Sequence, residues 1–276
     1  MRQFVSETEL DSQGTLTVSG KKYHYLTAVL RARPGDMMYV RLPGGELQGM
    51  TLASVDAVKK TLVLQAAGPL AQDLHANPLS EKPSVEIWLF QFVAKPAKME
   101  LILRQATECG VSHFIPVAGQ FSQKGNNDSA KKQSAPDGER WKRIITEARE
   151  QSGSPVETCV HPLSSLDEAV SLWKENEESS EGQLAVTLYE MTKETVSMHQ
   201  AVKEAEKKCN GKIKRAALVV GAEGGISPEE ISFLQKAGFV SVHFLTNILR
   251  CETAALYGLS ALQTAVFERE DWLCRE

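Results

Sequence analysis

Long apolar runs are missing from this sequence: no stretch approaches the about 20 residues that a membrane-spanning helix requires, which argues against a helical membrane protein. The opening residues Met1, Arg2, Gln3, Phe4, Val5, Ser6 and Glu7 lack the hydrophobic segment of a secretory signal, so a cytoplasmic location is expected. Cysteine is scarce. Cys109, Cys159, Cys209, Cys251 and Cys274 form no C-x-x-C pair and have no histidine cluster near them in the chain, so neither a disulfide framework nor a metal site is expected. An excess of positive charge is also absent, with 31 Lys and Arg against 35 Asp and Glu and a net charge of -4. Phosphate contacts rely on Lys and Arg, so a nucleic-acid partner would have to meet a local basic surface.

What is present is apolar content of 42% over 276 residues, enough for one large or two modest domains. Residues 2–70 read as short strands at 16–18, 37–41 and 61–64, punctuated by Gly14, Pro34-Gly35, Pro43-Gly44-Gly45 and Gly68-Pro69, the pattern of a small barrel. A helical segment over 22–31 interrupts them. By charge alone, Arg2, Lys21, Lys22, Arg31, Arg33 and Arg41 form either a phosphate-contacting face or scattered solvated charges, and nothing local pairs with His24. The polar, proline-bearing stretch 73–83 reads as a linker between a domain at 1–72 and another at 84–276.

Past the linker the hydrophobic period changes. A strand at 85–92 is followed by Pro96 and a helix with Met99, Ile102, Leu103, Ala106 and Cys109 on one stripe, then by a strand at 112–117. This β-α-β unit predicts a parallel sheet. Glu100, Arg104 and Glu108, four apart, read as an ion-pair ladder on the open helix face. Lys124, Lys131, Lys132, Arg140, Lys142 and Arg143 surround Gly125-Asn126-Asn127-Asp128-Ser129, which reads as a mobile loop, either following an RNA backbone or solvated without a partner. A helix is expected over 138–151, and a strand at 184–190 runs into a loop.

Two runs near the C-terminus carry the most information. Leu218-Val219-Val220 enters Gly221-Ala222-Glu223-Gly224-Gly225-Ile226, and Ser227-Pro228-Glu229-Glu230 then supplies an N-cap, a proline at the first helical position and first-turn acids. That is a strand, a tight loop and a helix. Lacking Cβ atoms at its glycines, the loop backbone can approach a ligand closely. A phosphate-binding P-loop needs a Lys-Ser/Thr pair that is absent here, and a dinucleotide fingerprint needs a different glycine spacing. A plain strand-to-helix turn stays open. The second run repeats the plan, with a strand at 240–245, a break at Thr246-Asn247 and a long helix from about Arg250.

Together the two runs resemble the cofactor loops of the SPOUT methyltransferases, and more closely those of the RsmE family, with its pattern G-P-E-G-G-F/L/I-S followed by L-G-x-R-I-L-R-T-E-T-A. Ala222 stands here for the proline, Thr246 and Asn247 for the glycine-arginine region and Cys251 for the threonine, while Arg250, Glu252 and Thr253 match. The resemblance extends along the chain. Arg2-Gln3-Phe4-Val5, then His24 with Val29-Leu30-Arg31 and Gly35-Asp36, resemble the family's PUA-like N-terminal domain. Lys95, Lys98, Met99, Glu100 and Glu108-Cys109-Gly110-Val111 match its next runs, and Glu150-Gln151-Ser152 matches E-Q-S-x-R without the arginine.

The resemblance implies an α/β fold, a trefoil-knotted SPOUT domain with a parallel sheet, plus a small PUA-like β-barrel. It implies a homodimer that uses S-adenosylmethionine to methylate N3 of a uridine in 16S ribosomal RNA of the small ribosomal subunit. Cofactor contacts would come from Leu188, Tyr189 and Glu190, from Val220, Gly221, Ala222, Glu223, Gly224 and Gly225, and from Leu245, Ile248, Leu249, Thr253 and Ala254. The adenine would lie against Leu245, Ile248 and Leu249. RNA would be met by Arg2, His24, Arg31, Arg33, Lys95, Lys98, Glu108, Gln151 and Arg250. Uracil N3 must lose a proton, which Glu252 or Glu223 would accept while Arg250 stabilises charge on the carbonyl oxygens. Two other readings stay open: a knotted ribose 2′-O-methyltransferase, and an RNA-binding module that has lost catalysis through its changes at Ala222, Asn247 and Cys251.

Overall fold

The computed structural model describes residues 3–67, 83–175, 182–209 and 212–267, so Arg2, Cys274 and most of the expected linker lie outside the described residues. The chain divides into two compact units, Met1–Lys82 with Arg149–Val156, and Pro83–Ala148 with Glu157–Glu276. Residues 149–156, expected within the second domain, thus belong to the first unit.

The first unit contains β1 (Gln3–Val5), β2 (Thr15–Ser19), α1 (Gly20–His24) running into a π-helical turn (Tyr25–Val29), β3 (Met37–Arg41), β4 (Leu47–Asp56) and β5 (Thr61–Ala66). Its sheet has the order β1-β3-β4-β5-β2; β1 and β3 run parallel, and the other neighbours are antiparallel. Alternate residues Leu16 and Val18, Met50 and Leu52, and Leu62 and Leu64 point inward with Val40, and Leu26 covers them. This is the period-2 signature of a half-buried strand. β4 was not expected: the bulge between Leu52 and Ser54 breaks its alternation.

Arg41 corrects the basic-face expectation. Its side chain is 1% exposed and cannot reach a phosphate at the surface. Its guanidinium donates to Gln3 Oε1 at 2.8 Å, to the Gly45 carbonyl at 2.7 Å and to the Gly153 carbonyl at 3.4 Å. Gln3 in turn donates to the Arg149 carbonyl at 2.9 Å, so Arg41 and Gln3 tie 149–156 into the unit. We expect Arg41→Ala to destabilise this unit by about 3 kcal/mol in urea unfolding, because two buried acceptors and one half-buried acceptor lose a charged donor.

The second unit contains β6 (Glu86–Phe92), α2 (Pro96–Glu108), β7 (His113–Ala118), α3 (Lys124–Ser134), α4 (Glu139–Ser152, counted with the first unit from Arg149), β8 (Cys159–Val160), β9 (Ser164–Ser165), α5 (Leu166–Glu175) and β10 (Gln183–Leu188). It continues with α6 (Met198–Lys208), β11 (Arg215–Val220), α7 (Pro228–Lys236), β12 (Val240–Val242) and α8 (Cys251–Phe267). Sheet neighbours run parallel in the order β12-β10-β11-β6-β7-β8, with β9 also beside β7. Ile87 and Leu89 of β6 face a layer built from α2, α6 and α8, whereas Trp88, Phe90 and Phe92 face α5 and α7. A sheet covered on both faces explains why its strands read as continuous apolar runs.

Two expectations need correction here. The lysine-bearing loop is a helix, α3: Ala130 and Ser134, four apart, are buried, and that packing outweighs the weak helix preference of Gly125, Asn126 and Asn127. The strand expected at 240–245 ends at Val242, because the His243 N–H turns to the Val196 carbonyl at 3.1 Å. Among the described residues no helix is long and apolar enough to cross a membrane.

Candidate active site

A cavity of about 490 Å³ opens at the carboxyl ends of β10, β11 and β12, where α/β sheets commonly bind ligands. Three loops line it. The first contributes Leu188, Tyr189 and Glu190; the second, Val220 through Ile226; the third, residues 242–244 and 246–251, with Ala254 of α8 and Lys98 of α2 completing the wall.

The second loop is held from several directions. Ser227 caps α7 by accepting from the Glu230 N–H at 3.2 Å, while Glu230 accepts from the Ser227 N–H at 2.9 Å, a reciprocal capping box with Pro228 in the first turn. Gln91, fully buried at the end of β6, donates to the Gly221 carbonyl at 3.1 Å. A Cβ at Gly221 would sit 2.8 Å from the Gly225 carbonyl carbon, and Gly225 adopts φ +76°, so both positions need glycine. Ala222 is 7% exposed and packs beside Ile226, so it buries its methyl where the family pattern has proline.

The first and third loops are stitched together. The Tyr189 N–H donates to the Val242 carbonyl at 3.0 Å, and His243 Nδ1 lies 3.1 Å from the Tyr189 carbonyl, which makes that nitrogen the donor. Ile248 and Leu249 line the cavity, with Ile248 87% exposed at its mouth. Leu245 is 98% exposed and Thr253 is exposed, and neither is among the residues that line the cavity.

Charge collects beside the glycine loop. Lys98 Nζ lies 3.0 Å from Glu252 Oε2 and 3.6 Å from Glu223 Oε1, and Glu223 also accepts the Lys95 N–H at 3.2 Å. The hydrogen bond to Glu252 raises the Lys98 pKa above its ordinary 10.5. Burial pushes the Glu252 carboxyl up, but its own backbone N–H, Lys98 and the Cys251 thiol outweigh this and leave it below 4.5. Burial and the neighbouring Glu252 lift the Cys251 thiol to about 11, so it stays protonated. The Glu252 contribution is present above pH 4.5 and lost as pH falls through its lowered value; that of Lys98 is present below pH 10.5 and lost as pH rises through its raised value. We therefore expect ligand affinity of the cavity, measured by calorimetry, to show no ionisation of this pair between pH 6 and 9.

The remaining expected residues lie elsewhere. Glu108 ends α2, ten residues or about 15 Å along its axis from Lys98 in the first turn, and it does not line the cavity. Met99 is buried in the core, and Glu100 pairs with Arg140. His24, Arg31 and Arg33 are exposed in the first unit, Arg31 with φ +54°, and Gln151 is exposed at the end of α4. Gln91, His243 and Phe244 were missed by sequence reasoning; the strand-to-loop positions of the last two were the available signal.

The family model of the RNA methyltransferase domain matches residues 80–263. The ribosomal RNA small subunit methyltransferase E of Aquifex aeolicus is 33% identical over 181 residues, covering 65% of this chain and 69% of that protein. Its Bacillus subtilis namesake is 27% identical over 275 residues, 95% of both chains. Among solved structures, ribosomal RNA small subunit methyltransferase E of Neisseria gonorrhoeae, bound to S-adenosyl methionine, superposes with a TM-score of 0.72 at 23% identity, covering 96% of this chain and 97% of that one. A Legionella pneumophila methyltransferase with bound SAM gives a TM-score of 0.73 at 24% identity, covering 96% and 98%. The glycine-loop cavity at the sheet's carboxyl edge and the match over most of its length place this chain in the RNA methyltransferase family, among the relatives named ribosomal RNA small subunit methyltransferase E.

Proposed function

We propose that this chain transfers a methyl group from S-adenosylmethionine to N3 of a uridine in 16S ribosomal RNA of the small subunit. The observation that carries the reading is the convergence, on one cavity, of a close-approach glycine loop, the Lys98–Glu223 pair and Arg250. The cavity suits the cofactor: its about 490 Å³ falls in the range of small-molecule sites, Ile248, Leu249 and Ala254 offer an apolar bed, and Glu190 offers an acceptor for hydroxyls. When bound, S-adenosylmethionine supplies an electrophilic methyl on a sulfonium.

The residues of the chain do the rest. The three loops that line the cavity would hold the methyl donor and the base, so that transfer needs no further collision between them. Arg250, exposed on the cavity rim, faces the negative charge that develops on the uracil carbonyls as N3–H ionises. Glu252, its pKa depressed, is a weak proton acceptor and positions Lys98; Glu223, at the longer 3.6 Å from that lysine, is the better placed carboxylate to take the proton. N3 lies on the pairing edge, so the base must reach the cavity unpaired or flipped out.

A trefoil knot is supported by the way β12 is flanked by both ends of one loop, Tyr189 bonding to Val242 on one side and Val196 bridging Val242 on the other. The first unit acts as the PUA-like RNA-binding domain, its support being exposed His24, Arg31 and Arg33 around the π-helical turn. Lys95 and Gln151, exposed, extend the RNA contacts. A homodimer through helices beside the site is supported by exposed Leu101 and Tyr257 on α2 and α8, and the cytoplasm is the compartment that holds the substrate. Digestion of RNA methylated in vitro tests the reaction. 3-Methyluridine is the expected nucleoside; a 2′-O-methyl nucleoside would favour the ribose reading.

A further inference from the structure

The amino-terminal edge of the parallel sheet, opposite the cavity, holds a cluster that methyl transfer does not use. His113 begins β7 and Cys159 begins β8, and the parallel register sets these two residues side by side. His161 lies two residues beyond Cys159 and is anchored by its N–H to the Phe114 carbonyl at 2.9 Å. One ligand atom from each of His113, Cys159 and His161 lies within 4.8 Å of the others, and His113 Nδ1 is 2.8 Å from His161 Nε2. Sequence reading did not anticipate this grouping, since two strands far apart in the chain assemble it.

We propose that His113, Cys159 and His161 form a binding site for a zinc-class divalent transition metal. The chemistry of the set favours that class: one thiolate and two imidazoles suit a borderline-soft ion, and no hard carboxylate shell for calcium or magnesium is offered. Glu86 supplies the outer support. Its Oε1 lies 2.9 Å from His113 Nε2, which keeps the proton on that nitrogen and leaves the Nδ1 lone pair directed at His161, the carboxylate–histidine–metal arrangement. Trp88 stacks on the His113 ring at 4.0 Å and on His161 at 5.6 Å, and Arg215 lies over Trp88 at 4.9 Å, fixing the ring planes. Tetrahedral bonds of about 2.0–2.1 Å to nitrogen place two ligand nitrogens about 3.3 Å apart, so the rings separate by about half an ångström as the ion enters. The ion takes Cys159 as a thiolate and both imidazoles as neutral rings, so the proton held by the Cys159–His113 pair leaves to solvent on binding. Cys159 is exposed, so a fourth position opens to water. The ion would pin the two-residue strand β8 to β7 just after the chain returns to the second unit at Glu157.

Titration of the chelator-treated full-length chain with Co2+ tests this. The expected result is one equivalent bound with four-coordinate ligand-field bands and a thiolate-to-cobalt charge-transfer band, displaced by Zn2+. Cys159→Ser should abolish the charge-transfer band, and Glu86→Gln should weaken binding about 10- to 100-fold. Circular dichroism and S-adenosylmethionine affinity should stay unchanged in both, reporting an intact fold. Absence of stoichiometric binding, bound cobalt without the thiolate band, or a band that survives Cys159→Ser would overturn the proposal.

Discussion

Arg250→Ala should lower the single-turnover rate of methyl transfer about 100-fold, equivalent to about 2.7 kcal/mol of transition-state stabilisation, while S-adenosylmethionine affinity changes by less than about twofold. The split follows from position. Arg250 sits on the cavity rim with an exposed side chain, and the bond that starts α8, from the Ala254 N–H to the Arg250 carbonyl at 2.7 Å, is backbone and survives the change. Arg250→Lys keeps the charge and loses the planar fork, so it should recover part of the rate. Quench-flow transfer to ribosomal RNA, paired with cofactor calorimetry, reads both quantities. A full rate in Arg250→Ala would remove the residue from the mechanism.

Gly221→Val should act on the opposite quantity. The first side-chain carbon would meet the Gly225 carbonyl carbon at 2.8 Å and its oxygen at 3.0 Å, contacts with backbone that cannot swing aside. Gln91 and the capping box at Ser227 hold the loop on both sides, so the strain stays in the loop. Overpacking of this kind costs about 1–3 kcal/mol, which predicts S-adenosylmethionine binding weaker by about 10- to 100-fold. Gly125→Ala, whose Cβ would meet nothing within 4 Å, is the control and should bind normally. Unchanged affinity in Gly221→Val would mean that the ligand does not approach this loop.

Local chemistry was legible in the sequence, and long-range pairing was not. The N-cap at Ser227 with its first-turn acids and the stripe of α2 depend on neighbours close in the chain, so spacing alone located them. Residues 149–156 belong to the first unit because Gln3 and Arg41 reach across more than a hundred residues to their carbonyls, which no periodicity announces. For the same reason Arg41 read as a surface charge although it is buried, and the place of His113 beside Cys159 was invisible until β7 and β8 paired. α3 was missed because its glycine and asparagines speak against a helix that tertiary packing nevertheless forms. In the site, the glycine loop was clear, whereas the direction of Leu245 depended on where β12 ends.

The most direct test is transfer of labelled methyl from S-adenosylmethionine to small ribosomal subunits lacking the modification, followed by nucleoside analysis. The account predicts that label appears in 3-methyluridine with the unaltered chain and falls about 100-fold with Arg250→Ala. Label in a ribose-methylated nucleoside, or no label from a chain that still binds the cofactor and is offered both free RNA and assembled subunits, would contradict it.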